Sequence, residues 1–182
     1  MPAADGSAPH LAARLATRVR TVLDFPRHGI AFRDITPLLA DGAAFRDAVE
    51  AIASAHENSS VDLVAGVESR GFILAAPVAL RLGSGFIPIR KQGRLPASTI
   101  ATAYALEYGE AVLEVHADAL ARGRRVLIVD DLLATGGTAA AAIRLVEELG
   151  GVVAGLAFLI ELGGLNGSAA LGGREFSALM TL

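Results

Sequence analysis

The sequence predicts an α/β fold with a central, mostly parallel sheet flanked by helices. Three observations carry that prediction. Short aliphatic runs, VDLVAG (61–66), GFIPIRK (85–91), VLIV (126–129) and VVAGLAFLIEL (152–162), read as buried strands. Segments of helical period separate most of them, and strand–helix alternation is the signature of parallel sheets. Turns rich in Arg, Asp and Gly (ESRG, RKQGRLP and DDLLATGGT) directly follow three of the runs. Ligands of open α/β sheets bind at the carboxyl ends of the strands, where these turns fall.

In chain order, residues 1–8 lack any period and read as a loose, flexible tail. From Pro9 to Leu23, the spacing of Leu11, Leu15, Val19 and Val22 predicts a first helix. DFPRHGIAFRDITPLLAD (24–41) is broken by Pro and Gly and has no clear period. Phe45–His56 is helical in pattern. After the first strand and ESRG, Phe72–Leu82 predicts a hydrophobic helix, followed by the GFIPIRK strand. Past the polar loop QGRLPAST, the runs TAYALEYG and EAVLEVH alternate and predict a hairpin. VLIV leads through DDLLATGGT into the helix TAAAAIRLVEEL, closed by Gly150 at its C-terminal end. Neither a repeat nor a linker interrupts the chain, so one domain, 1–182, is expected.

Composition narrows the function. Hydrophobic residues make up 53% of the chain and the mean hydropathy is +0.50, which raises the question of a membrane span. The run Val152–Ile160 contains a glycine and is far too short to cross a bilayer, so no membrane partner is expected. With no cysteine, disulfides and thiolate metal sites are excluded. A net charge of −3 argues against nucleic acid, which calls for a basic face. The N-terminus lacks the apolar core of a secretory signal, and the expected location is cytoplasmic. His10, His28, His56 and His116 show no metal-ligand spacing and read as surface or structural.

Val126–Thr138 (VLIVDDLLATGGT) carries the strongest functional signal. A strand that meets two acids and turns through glycines into a helix start suits a phosphorylated ligand. The turn's N–H groups and the helix dipole attract an anion, while carboxylates accept hydrogen bonds from hydroxyls or bind a metal. There is neither a GxGxxG nor a Lys after the glycines, so the two common nucleotide loops are excluded. Adjacent unpaired carboxylates repel, and a purely structural turn gains nothing from them.

This segment resembles the phosphoribosyl pyrophosphate (PRPP) motif of the type I phosphoribosyltransferases. The resemblance implies that fold, with a small hood (24–39 and 161–175) and a mobile β-hairpin loop. It implies that Asp130 and Asp131 bind the ribose hydroxyls, and that Ala134, Thr135, Gly136, Gly137 and Thr138 hold the 5′-phosphate. Members acting on 6-oxopurines carry an Asp where this chain has Ala134, and DDLLATGGT is the form of the adenine-specific members. FPRHGIAFRDITPLL (25–39) is similar to the family's adenine hood, which implies Phe32 stacking on the base, Ala31 reading its edge and Arg33 nearby, with Leu162 on the other face. GVESRGF (66–72) is similar to the pyrophosphate loop, implying roles for Glu68, Ser69 and Arg70 and a cis Glu68–Ser69 peptide. Lys91 and Arg94, flanking Gly93 in the next loop, are assigned to phosphate. ALEYG (105–109) resembles the end of the mobile loop, whose Glu107 and Tyr108 would assist chemistry.

The implied reaction is adenine plus PRPP to AMP and pyrophosphate, a purine-salvage activity. Magnesium is the implied cofactor, bound mainly through substrate and water with no direct protein ligand expected. A homodimer is implied as well. The alternatives are another purine base, disfavoured by Ala134, and a PRPP-binding regulator, disfavoured by the absence of spare length for a DNA-binding module.

Overall fold

The computed structural model describes residues 7–106 and 109–182. Its contacts divide into two compact units, Met1–Ala51 and Ile52–Leu182.

The first unit contains helix α1 (Ser7–Ala16), strands β1 (Arg20–Leu23) and β2 (Ala31–Asp34), the short helix α2 (Thr36–Ala40), and most of α3 (Gly42–His56). The predicted first helix therefore stops at Ala16 instead of Leu23. The Arg18 and Val19 N–H groups bond the Leu15 and Ala16 carbonyls three residues back, which tightens and closes the helix. Arg20–Leu23 instead pairs antiparallel with β2, Arg20 opposite Asp34 and Leu23 opposite Ala31. The β-branched Thr21 and Val22 suit that ribbon, and the spacing of Val19 and Val22 imitates a helix that is not there. The connection between the strands holds a cis Phe25–Pro26 peptide, and Asp24 Oδ1 accepts the Gly29 N–H at 2.7 Å. Two N–H groups, from Ala43 and Ala44, cap α3 on the Asp41 carboxylate at 3.1 and 3.2 Å.

The second unit is built on a seven-stranded sheet. Its strands are β3 (Leu63–Val67), β4 (Gly85–Lys91), β5 (Thr99–Leu106), β6 (Gly109–His116), β7 (Arg125–Leu133), β8 (Val152–Glu161) and β9 (Phe176–Thr181). The order is β5-β6-β4-β3-β7-β8-β9. From β4 to β9 every neighbouring pair is parallel, and the β5–β6 hairpin adds antiparallel at the β4 edge. The predicted mostly parallel α/β sheet is present. Two features exceed the prediction: β7 runs on through both acids to Leu133, and β9 forms an edge strand that no clear aliphatic run announces.

Helix α5 (Gly137–Glu148) buries Ala142, Ile143, Leu145 and Val146 in one cluster with Val126, Ile128, Leu156 and Phe158. Helix α4 (Arg70–Leu82) buries Leu74, Ala75, Val78 and Ala79. Because strand residues alternate faces, Leu127 and Val129 of β7 lie opposite Val126 and Ile128, on the side where α4 packs. Gly66 in β3 permits that packing, since a Cβ there would stand 2.7 Å from the Ala75 Cβ and 3.0 Å from the Phe86 ring.

Candidate functional site

Chain connectivity locates the site. From β3 the chain moves to β4 on one side, then returns to place β7 and β8 on the other, so the strand order reverses between β3 and β7. A crevice opens outside the carboxyl ends of two strands that diverge in this way. The turn after β3 carries Glu68, Ser69 and Arg70, and the end of β7 carries Asp130 and Asp131. The structure joins the two turns directly, with Arg70 Nε lying 2.7 Å from Asp131 Oδ2.

The acid pair is crowded. The Asp131 N–H donates to Asp130 Oδ1 at 2.9 Å, and Asp130 Oδ1 also lies where a Cβ on Gly71 would stand, 2.6 Å away. Only glycine at 71 lets the first turn of α4 come this close. Burial pushes the Asp130 carboxyl well above the usual carboxylate range, and the Asp131 charge pushes it further. Burial also raises Asp131, with the Arg70 guanidinium opposing. Two adjacent carboxylates in this setting are stabilised by hydroxyl donors or by a cation, so the pair favours a ligand that supplies either.

Two helix starts flank the pair. α4 begins after Ser69 and α5 after Gly136, and neither is capped by a side chain. The first N–H groups of α5 are therefore available to an anion, reinforced by the helix dipole. The Glu68–Ser69 peptide is cis. Gly136 has φ +83, and residues Leu132–Ala139 line a small cleft of about 60 Å³. A single water needs roughly 10–15 Å³ on this measure, so the cleft admits a compact anionic group. Ala134, Thr135, Gly136, Gly137 and Thr138 all line it. The short 3₁₀ helix Gly167–Leu171 closes its back: a Cβ on Gly136 would stand 2.3 Å from the Gly167 carbonyl, and one on Gly167 would stand 2.2 Å from the Ala134 carbonyl. Leu162, half-buried, donates its N–H to the Leu133 carbonyl at 2.9 Å at the same strand ends.

β4 ends on exposed Lys91, and the loop after it carries exposed Arg94. Glu68 holds this loop. Its carboxylate accepts the Lys91 N–H at 3.1 Å and Arg90 Nε at 3.2 Å, and its own N–H donates to the Ile89 carbonyl. The Glu68 carboxylate thus serves inside the protein. Sequence reasoning missed Glu114, whose place in the alternating run EAVLEVH resembles a solvent-facing position, although it is 4% exposed. It also missed Arg144 of α5, which donates to the Ala103 carbonyl of the hairpin at 3.1 Å. No local pattern signals either contact.

In the first unit, Ala31, Phe32 and Arg33 lie on β2. The Phe32 ring meets Phe25 edge-on, with centroids 5.1 Å apart. Arg33 donates to Thr21 Oγ1 at 2.5 Å, while Asp34 takes Arg20 at 3.0 Å from Nε. The Arg20 hydrogen bond, aided by the Thr36 N–H, holds the Asp34 carboxyl at a pKa of about 2. Glu107 and Tyr108 lie outside the described residues. A wider cleft of about 460 Å³, lined by His56, Val153, Phe176 and Ser177 among others, opens at the amino-terminal ends of β8 and β9, away from the paired acids.

A parallel sheet with paired acids and an open helix start at its switch point defines an α/β protein whose crevice suits an anionic, hydroxyl-bearing ligand. Residues 35–168 match the family described as phosphoribosyl transferase domain. The adenine phosphoribosyltransferase of Thermobifida fusca is 56% identical over 164 residues, spanning 90% of this chain and 93% of that protein. The crystal structure of the adenine phosphoribosyltransferase from Thermoanaerobacter pseudethanolicus superposes with a TM-score of 0.92 at 48% identity, covering 94% of this chain and 99% of that one. The Saccharomyces cerevisiae enzyme, complexed with an imino-altritol bisphosphate and adenine, gives 0.89 at 35% identity, covering 94% and 99%. The chain belongs to the adenine phosphoribosyltransferase family.

The acid pair predicts a trade-off between stability and binding. A carboxyl with a raised folded-state pKa binds more protons folded than unfolded between its ordinary and raised values. Stability therefore falls as pH rises through that window, and the penalty is fully present above it. Asp130→Asn removes the charge at nearly constant size. It is expected to raise Tm at alkaline pH by about 2–4 °C and to weaken PRPP binding, read by thermal melts and PRPP titration. A lower Tm with undiminished affinity contradicts the assignment.

Proposed function

We propose that this protein transfers the 5-phosphoribosyl group from PRPP to adenine, giving AMP and pyrophosphate. The observation that carries this reading is the joined pair of turns at the sheet's switch point, where Arg70 meets Asp131 beside an open α5 start. Asp130 and Asp131 accept the ribose 2′- and 3′-hydroxyls. The N–H groups of the Ala134–Thr138 loop and the Thr135 and Thr138 hydroxyls take the 5′-phosphate. Arg70, Lys91 and Arg94, with the turn at Ser69, face the pyrophosphate. Ala31, Phe32, Arg33 and Leu162 are assigned to the base. Ala134 supplies no carboxylate, which favours adenine over an oxopurine.

In the reaction, adenine N9 bonds to C1′ as the C1′–oxygen bond to pyrophosphate breaks. Negative charge accumulates on the leaving group and positive charge on the ribosyl carbon. The preorganised cations and helix starts stabilise the first, a case of electrostatic catalysis. Glu107 either takes the adenine proton or stabilises the ribosyl cation, with Tyr108 beside it.

Magnesium, which the family implies, fits the donor set here, because adjacent carboxylates offer hard oxygen ligands. Among the described residues no group of three or more His, Asp or Glu side chains forms a metal cage. Asp130 and Asp131 would hold the ion through water and substrate, and its chemistry would be neutralisation of the pyrophosphate charge. No helix among the described residues is long and apolar enough to cross a membrane; a cytoplasmic location is our reading. A homodimer is supported by the outer face of α4, where Ile73 and Leu80, two turns apart, are 41% and 83% exposed.

Incubation with PRPP, magnesium and a panel of purine bases is expected to yield AMP from adenine and little product from hypoxanthine, guanine or xanthine. No AMP, with or without magnesium, overturns the reading. Glu107→Gln is expected to lower kcat by roughly 10²-fold with little change in PRPP affinity, the scale of general acid–base groups; an unchanged kcat removes Glu107 from the catalytic set. Leu80→Glu is expected to shift the protein from dimer to monomer in sedimentation, and a monomeric wild type refutes the dimer.

A further inference from the structure

The turn that follows Lys91 and carries Arg94 has the geometry of an anion nest, yet a residue of this protein fills it. Gly93 sits at φ +79 with open space around it, which curls the following chain inward. Successive N–H groups converge in such a turn and can enclose an anionic oxygen. Here the Arg94 and Leu95 N–H groups both donate to Glu114 Oε1 at 2.9 Å. Thr99 Oγ1 approaches Oε2 at 3.4 Å. Glu114 is 4% exposed, and in the sheet it stands opposite Arg90 of β4 and Ala101 of β5. One carboxylate therefore joins the cationic loop to Thr99 at the start of β5.

We infer that Glu114 is a positioning residue for the pyrophosphate end of PRPP, fixing the loop backbone so that the Lys91 and Arg94 side chains meet the phosphates. The inference rests on the reading that these two cations contact PRPP. A buried charge is costly unless it is fully bonded, and the loop N–H groups provide that bonding. Burial disfavours the charged Glu114, but the N–H groups of Leu95, Arg94 and Gly93 outweigh it and hold the carboxyl below its usual range. The group remains an anion at neutral pH. With its nest occupied, the loop offers the ligand side chains and not these amides. The arrangement differs from the α5 start, where backbone groups themselves are open to phosphate.

The test is a double-mutant cycle read in both reaction directions. Glu114→Ala is expected to raise KM for PRPP, and for pyrophosphate in the reverse reaction, by about tenfold, the scale of one lost charge-assisted hydrogen bond. KM for adenine should change much less. Glu114→Gln keeps an acceptor oxygen and should restore most of the affinity. Arg94→Ala should raise KM for PRPP, and the double variant Glu114→Ala/Arg94→Ala should be far less than additive, because both changes disable one element. An unchanged KM for PRPP in Glu114→Ala, an equal rise for adenine, or full additivity overturns the inference. If neither Lys91→Ala nor Arg94→Ala affects KM for PRPP, the cationic-loop reading fails and the inference falls with it. If those variants weaken PRPP and Glu114→Ala does not, only the role of Glu114 fails. Should Glu114→Ala not fold, Gly93→Ala strains the same nest at an exposed turn. It is expected to raise KM for PRPP several-fold, and no rise overturns the inference.

Discussion

Asp130 and Asp131 impose the constraint around which the second unit is arranged. Two carboxylates at one strand end are unfavourable in a protein interior, and their raised pKa values report that cost. Arg70 offsets part of it from the neighbouring turn. That contact requires the start of α4 to lie against β7, which in turn requires glycine at 71. The remaining imbalance favours a ligand that brings hydroxyl donors or a cation. A less stable unliganded site is the physical counterpart of the diol recognition proposed for these two acids.

Close backbone approach recurs on the phosphate side. Gly136 and Gly167 each occupy a position where a methyl group would collide with the other segment's carbonyl or its neighbour's. The loop proposed for the 5′-phosphate is thereby backed by the 3₁₀ helix, so its shape depends on a segment some thirty residues downstream in sequence. At the end of β4 carboxylates do the corresponding work, with Glu68 holding Lys91 and Glu114 holding Arg94 and Leu95 by their N–H groups. The α5 start thus leaves amides open, while the loop after β4 spends its amides internally and presents side chains.

Most of the sheet was legible in the sequence because buried parallel strands are nearly continuous aliphatic runs. VLIV, GFIPIRK and VVAGLAFLIEL each mark a strand on those grounds. The reading stopped short at Asp130, since carboxylates do not look like strand residues even where the ladder to β8 continues. It missed β9, an edge strand of mixed polarity behind a glycine-rich segment, and took β1 for the end of a helix because four residues carry too little period to decide. The site divides in the same way. DDLLATGGT and ESRG were visible because their chemistry is local. The Arg70–Asp131 pair, the Glu114 nest and the Gly136–Gly167 contact join segments far apart in sequence, and no single window contains them.

The most direct measurement is a crystal structure of the protein with AMP. The account predicts the ribose 2′- and 3′-hydroxyls within hydrogen-bond distance of the Asp130 and Asp131 carboxylates, and the phosphate seated on the N–H groups of residues 134–138. A phosphate bound instead at the α4 start or on the Lys91–Arg94 loop, or a ribose that does not touch the two aspartates, contradicts it.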